Sequence, residues 1–397
     1  MQSNELFQKT TTMIVQSIID TDLYKFTTSY AYFKSFPQAQ GTFVFHDRED
    51  TVYDESFITR LNAAFADLEK LSLTDEEFEY MVKNCRFIPQ NYFEWLRGFR
   101  FESSKLKVWL SEEGHLHIEA TDLLYKVTLY EIAVLATVSA LRNEGNEIEM
   151  EDVISRLKPK IELSNRERIP FSDFGTRRRF SFEVHKTVME YIKANAYCCN
   201  GTSNCYLAMK LGMKAIGTYP HELPMFIAAV NGGPRQANYL AMEEWVKVYD
   251  GYLGIALTDT YGSDIFFKNF SKKHASLFDG VRQDSGDPIR FIDMAIARYN
   301  ELGIDPMTKT IIFSDSLDFP RAAEIMKACE GRIRCSFGIG TNITNDTGYK
   351  PCNIVMKLSQ CCMNEKQQIR KCVKLSDVPG KAMGDATEVD LYRRLLE

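Results

Sequence analysis

The chain has 397 residues, 45% of them hydrophobic and 26% charged, which is the make-up of a folded protein with a large core. Its length suggests two domains, or one barrel with an appended lobe. Basic residues number 48 against 54 acidic ones, and the formal charge of −6 excludes a dedicated nucleic-acid binder, which carries a net basic surface.

The N-terminal stretch 1–20 has neither a basic start nor an unbroken apolar segment, so no leader and a cytoplasmic location are expected. Asp22 to Ser35 reads as a helix that Asp22 can cap, with Leu23, Phe26, Tyr30 and Phe33 at helical spacing. Gly41–Phe45 reads as a strand, the acidic stretches Asp54–Leu71 and Thr74–Lys83 as helices, and Leu106–Leu110 with His115–Ala120 as a hairpin around Glu113-Gly114. The most apolar run, Ile132–Leu141, is broken by Thr137 and Ser139 and is half the length of a membrane span.

From Phe171 the texture changes to short apolar strands alternating with amphipathic helices. Strands are expected to end near Gly175, Asn200, Thr218, Asp259, Arg282, Asp315 and Phe337. Helical stripes run through Val184, Val188, Tyr191 and Ile192; Ile292, Ala295, Ile296 and Tyr299; and Ala322, Ile325, Met326 and Cys329. Seven such units argue for a parallel sheet, open or closed into a barrel. After Pro351 the chain returns to strand-like runs, Asn353–Leu358 and Lys371–Leu375. The ten cysteines form no CxxC pair, and free buried thiols are expected.

Nearly every expected strand runs out into polar residues at its C-terminal end, which in a barrel is the face that carries the active site. The Gly338-Ile-Gly-Thr-Asn342 turn can cradle a phosphate or be only a tight turn. Arg282 has a planar fork suited to a carboxylate or phosphate. Asp284 can hold Mg²⁺ through its waters or accept from a ribose hydroxyl, and Asp287 is a helix cap. The alternative for this segment is an internal ion pair at the rim. Of six histidines, His221 alone stands at the end of a candidate barrel strand. Of Arg177, Arg178 and Arg179, at most two can face one ligand.

DLYKFT (22–27), DFGTRRRFSFE (173–183), NGTSN (200–204), GTYPHE (217–222), GVRQDSGDP (280–288), SDSLD (314–318), FGIGTNITND (337–346) and KLSDVPGK (374–381) together resemble the nicotinate phosphoribosyltransferase family, in its order and spacing. The resemblance implies that nicotinate and 5-phosphoribosyl 1-pyrophosphate yield nicotinate mononucleotide and pyrophosphate, coupled to ATP hydrolysis with Mg²⁺. It also implies an α/β fold: an incomplete TIM-like barrel of about seven strands plus an α+β sandwich lobe formed by both chain ends. The lobe would comprise 1–130 and 351–397, and the barrel 131–350. A homodimer is implied, with Tyr24 contributed across the interface.

The resemblance assigns roles by position. Tyr24 and Phe174 would sandwich the pyridine ring, Thr218 and Ser203 would contact nicotinate, and Arg282 would lie beside the ring and ribose. Arg177, Gly340 and Thr341 would bind phosphate, Asp284 and Asp315 would hold the ribose diol and Mg²⁺, and His221 would be phosphorylated by ATP. Ser203 stands where related nicotinamide enzymes carry Asp; as a donor it would favour a carboxylate over an amide. Competing readings are a nicotinamide- or quinolinate-type transferase, a non-catalytic pyridine-nucleotide sensor, and a metal hydrolase built on Asp259, Asp284 and Asp315.

Overall fold

Apolar alternation in the first third builds β1 (Gln40–Asp47), β2 (Leu106–Leu110) and β3 (Leu116–Leu123) in a computed structural model that describes residues 13–397. The stretch read above for a leader lies mostly outside those residues. Each strand extends the predicted run by a few positions or matches it, because Phe43, Phe45, Ile118 and Ala120 alternate into the core. Asp22 stands at the start of the helix Leu23–Ser35, but its side chain makes no capping bond; it accepts from the Ser203 hydroxyl instead, at 2.7 Å.

The second sheet is wholly parallel. Its strands are β4 (Phe171–Asp173), β5 (Cys199–Thr202), β6 (Ile255–Leu257), β7 (Gly280–Gln283), β8 (Thr310–Phe313) and β9 (Arg334–Ile339), in the order β5-β4-β9-β8-β7-β6. The expected seventh strand, ending near Thr218, is absent: only a single bridge joins Ala215 to Thr202. Two features prevent its extension. The Thr218 carbonyl is taken by the Thr27 hydroxyl at 2.7 Å, and Gly217 packs so tightly on the Tyr24 backbone that a Cβ would lie 2.9 Å from its nitrogen. A helix start thus covers the edge that another strand would need.

The tail supplies β10 (Ile354–Cys362) and β11 (Arg370–Lys371). β10 pairs antiparallel with β1 from Gln40↔Cys362 to Asp47↔Ile354, so the first sheet runs β11-β10-β1-β3-β2 and draws on both parts of the chain. The predicted stripes pack between the parallel sheet and solvent, with Val184, Val188, Ile192, Ile292, Ala295, Tyr299, Ala322 and Ile325 fully buried. Asp287 and Asp318 cap the helices Pro288–Glu301 and Phe319–Cys329. The segment Leu124–Arg142 is long and apolar enough to cross a membrane, yet 83% of it is buried inside the protein. It also carries Glu131 in an ion pair with Lys25, which marks a core helix. All ten cysteines are free thiols.

Arg179 fastens the N-terminal segment to the turn that follows β4. Its guanidinium makes two 2.7 Å bonds to the carboxylate of Asp20, and both side chains are completely buried. Removing one partner strands a buried charge. Asp20→Ala should therefore cost roughly 3–5 kcal/mol in urea unfolding, far above an exposed-pair deletion such as Asp264→Ala.

Candidate active site

The C-terminal ends of the parallel strands open onto one cavity of about 860 Å³, reached by Phe174 after β4, Ser203 after β5, Arg282 and Asp284 at β7, Ser314 after β8 and Gly338 in β9. Tyr24, Arg177, Thr218, His221, Gly340 and Thr341 also line it. Of the residues to which the resemblance assigns a role, only Asp315 is missing from this wall.

Phe174 owes its position to a glycine. A Cβ on Gly338 would sit 2.3 Å from the Phe174 ring, so the ring lies flat on the strand only because no side chain stands there. The Arg282 guanidinium stacks over that ring at 5.6 Å. Its Nε donates to Ser314 at 2.8 Å and its Nη2 to Asp284 at 3.1 Å. Of the three consecutive arginines, Arg177 and Arg178 face the cavity while Arg179 turns into the core. The Arg177 charge, together with burial, brings Arg178 down to about 10, so Arg178 remains a cation near neutral pH.

Tyr24 reaches the cavity of its own chain. The Leu23 amide fixes it there by donating to the Ser203 carbonyl of the same chain at 2.8 Å. Burial pushes its phenol well above the ordinary value, leaving a neutral ring. Ser203 is in the wall, but both its donors are engaged: the amide donates to the Asp173 carbonyl at 2.8 Å and the hydroxyl to Asp22 at 2.7 Å. It is therefore not free to donate to a carboxylate as expected. Burial raises the Asp22 carboxyl, which moves it toward the neutral acid.

Asp315 points elsewhere. Its carboxylate lies 2.5 Å from Lys381 Nζ, while its neighbours Ser314 and Ser316 face the cavity. The carboxylate that instead accompanies Asp284 is Asp259, at the end of β6. Imidazole Nε2 of His221 lies 3.2 Å from Asp284 Oδ2 and 3.6 Å from Asp259 Oδ1, and Nδ1 lies 3.0 Å from the Thr260 hydroxyl. With two carboxylates at Nε2, the proton belongs there and the lone pair at Nδ1. Burial first, then the Lys374 charge, brings His221 down to about 4, so the imidazole is neutral at pH 7.

A divalent cation fits this cluster. Oxygen or nitrogen atoms of His221, Asp259 and Asp284 lie within 4.8 Å of one another, and Asp259 Oδ1 is buried with no hydrogen-bond partner. Burial alone would raise Asp284, but Arg282 and the hydrogen bond from His221 hold it well below the usual carboxylate range.

Sequence reading missed Asp22, Arg178 and Lys357 as cavity residues. For Lys357 a signal existed: it is the lone charge of the strand Ile354–Cys362 and follows the apolar run Ile354–Met356, on the face opposite Met356 and Leu358. Its ammonium lies 3.3 Å from Glu131, and burial brings it down to about 8.

The chain belongs to the nicotinate phosphoribosyltransferase family: the model of that family matches residues 169–397 and the model of its N-terminal domain matches residues 19–139. A nicotinate phosphoribosyltransferase of Chromohalobacter salexigens is 42% identical over 388 residues, covering 96% of this chain and 98% of the relative. The crystal structure of a nicotinate phosphoribosyltransferase from Porphyromonas gingivalis superposes with a TM-score of 0.94 at 49% identity, covering 96% of this chain and 99% of the other. That of a putative nicotinate phosphoribosyltransferase from Saccharomyces cerevisiae gives 0.89 at 30% identity, covering 96% and 98%.

Two outcomes follow from the geometry. Gly338→Ala should push Phe174 off the strand and weaken binding of an aromatic ligand by roughly tenfold, read by equilibrium titration, with little change in thermal stability. A bound polyanion favours protonated Lys357, whose folded value is depressed to about 8. The advantage of the wild type over Lys357→Met in pyrophosphate affinity should therefore be full at pH 7 and shrink about tenfold by pH 9, measured by calorimetry.

Proposed function

We propose that the chain transfers the phosphoribosyl group of 5-phosphoribosyl 1-pyrophosphate to the ring nitrogen of nicotinate, driven by ATP through a phosphohistidine at His221. Nicotinate, phosphoribosyl pyrophosphate, ATP and water give nicotinate mononucleotide, pyrophosphate, ADP and phosphate. The transferase activity is that of the family; the coupling and the residue roles are our reading. One observation carries it: aromatic walls, a cluster of cations and a buried neutral histidine flanked by carboxylates share one cavity.

Tyr24 and Phe174 hold the flat ring, which leaves its nitrogen directed at ribose C1. As the bond from C1 to pyrophosphate breaks, positive charge builds on the sugar and negative charge on the leaving group. Arg177, Arg178 and Lys357 are preorganised for the phosphates, and Gly340 and Thr341 for the 5-phosphate. Arg282, stacked on Phe174, meets the substrate beside the ring, with Thr218 across the cavity. Mg²⁺, held by Asp284 with Asp259 rather than by Asp315, would neutralise pyrophosphate. Nicotinate is favoured over nicotinamide by this cationic wall and by Asp22, whose burial turns it away from the ionised form.

The lone pair of neutral His221 attacks the γ-phosphorus of ATP; the bond to the bridging oxygen breaks and ADP leaves with its electron pair. The same reading includes a cytoplasmic homodimer and a parallel sheet that closes as an incomplete barrel. Residues 131–350 would form it, with 1–130 and 351–397 making the second lobe, supported by the β1–β10 pairing.

His221→Ala should abolish incorporation of acid-labile phosphate from γ-labelled ATP and the ATP stimulation of mononucleotide formation. Persistence of both would remove His221 from the mechanism. In the wild type, kcat/KM for nicotinate should exceed that for nicotinamide by at least about a hundredfold, and equal values would exclude the assigned specificity.

A further inference from the structure

One stretch of the cavity wall carries a cation that the proposed mechanism leaves unused. The helix Met150–Glu167 bears Arg156 and Lys160 four residues apart, hence on one face. That face meets the segment that continues from the Gly340–Thr341 turn: Lys160 Nζ donates to the Asn342 carbonyl at 2.5 Å and to Asp346 Oδ2 at 2.6 Å. Arg156 lines the cavity together with Gly340, Thr341, Asn342, Asp346 and Gly348.

The two cations have different duties. Lys160 is already paired with Asp346, so the one carboxylate of this segment has its counter-charge. Arg156 Nη1 stays 3.9 Å from Asp346 Oδ1, beyond hydrogen-bond range, and Asp346 is its only carboxylate partner among the described residues. Lys350, also in this wall, is engaged by Glu49 at 2.6 Å. The half-exposed fork of Arg156 is thus the cation here that no carboxylate holds. Gly348 sets where the fork lies: at φ +92° it needs to be glycine, and a Cβ there would stand 3.2 Å from Arg156 Nη2. The guanidinium rests against bare backbone, with its donors beside the turn at Gly340 and Thr341.

We propose that Arg156 is a substrate-binding residue for the 5-phosphate of the phosphoribosyl group, and that Lys160 positions it by keeping Asp346 off its fork. The inference rests on the reading that the Gly340–Thr341 turn receives that phosphate. A planar guanidinium matches two oxygens of a phosphate ester, whereas an unpaired Asp346 would repel one and compete for the arginine. No bond is made or broken at that end of the sugar. The contact is therefore the same in substrate, transition state and product, and it acts on binding and not on the chemical step.

The test titrates the full chain by calorimetry with nicotinate mononucleotide and with nicotinate riboside, which lacks the phosphate. The wild type should bind the mononucleotide more tightly. Arg156→Gln should weaken the mononucleotide by about tenfold and the riboside by less than about threefold, with KM for phosphoribosyl pyrophosphate rising by about tenfold at little cost in kcat. Lys160→Met keeps Arg156 but frees Asp346 to take its fork, and should weaken the mononucleotide by at least about threefold; adding Asp346→Asn should bring it back to within about twofold of the wild type. In Arg156→Gln, equal loss for both ligands, no loss, or a rise confined to KM for ATP overturns the assignment to the 5-phosphate. A double variant as weak as Lys160→Met overturns the positioning role. A wild type that holds the riboside as tightly as the mononucleotide instead removes the reading of the Gly340–Thr341 turn on which the proposal stands.

Discussion

A buried histidine between two carboxylates is possible only where cations stand behind both. Here those cations come from opposite parts of the chain: Arg282 from β7 and Lys374 from a strap that follows the last strand of the other sheet. Taking Asp259 and Asp284 out of water without them would cost several kcal/mol each. The pairing of β10 with β1, and the anchoring of residues 374–377 on Thr260, Ser263 and Ser285, are thus conditions for the site as well as for the fold.

A second buried network ties the aromatic side of the cavity to the histidine. Lys25, next to Tyr24, bonds Glu131 and lies 2.5 Å from Glu222, the residue after His221; Thr128 donates to Glu222 at 2.7 Å. Lys357 joins through Glu131. Two cations and two carboxylates cancel there, with the hydroxyl taking up a remaining lone pair, which is the arrangement that makes buried charge tolerable. Its geometric effect is to hold Tyr24, His221 and Lys357 in fixed relation around one ligand.

Strand polarity and helix stripes were legible because they depend on local alternation, and the DFGTRRR and GVRQDSGDP segments carried their chemistry on their surface. Three assignments depended on neighbours far away in the chain. Asp22 reads as a helix cap, yet Ser203 captures it; Asp315 reads as a cavity carboxylate, yet Lys381 draws it aside. Ser203 reads as a donor to substrate, yet Asp22 and Asp173 already use its protons. In each case a short polar side chain chose among partners at similar range, and local sequence holds no information about which one arrives first.

The net charge of −6 is a property of the whole chain and said nothing about a cavity bordered by Arg177, Arg178, Arg282 and Lys357. By itself the sequence determined the alternation of strands and helices, the family, and which strand ends carry chemistry, since periodicity and motif spacing are properties of the local chain. Only the tertiary structure decided that the parallel sheet has six strands, that Arg179 serves the core, and that Asp259 with Lys374 backs His221. Those outcomes are set by competition for buried hydrogen bonds and counter-charges between segments more than a hundred residues apart, and such competition is resolved only when the segments pack.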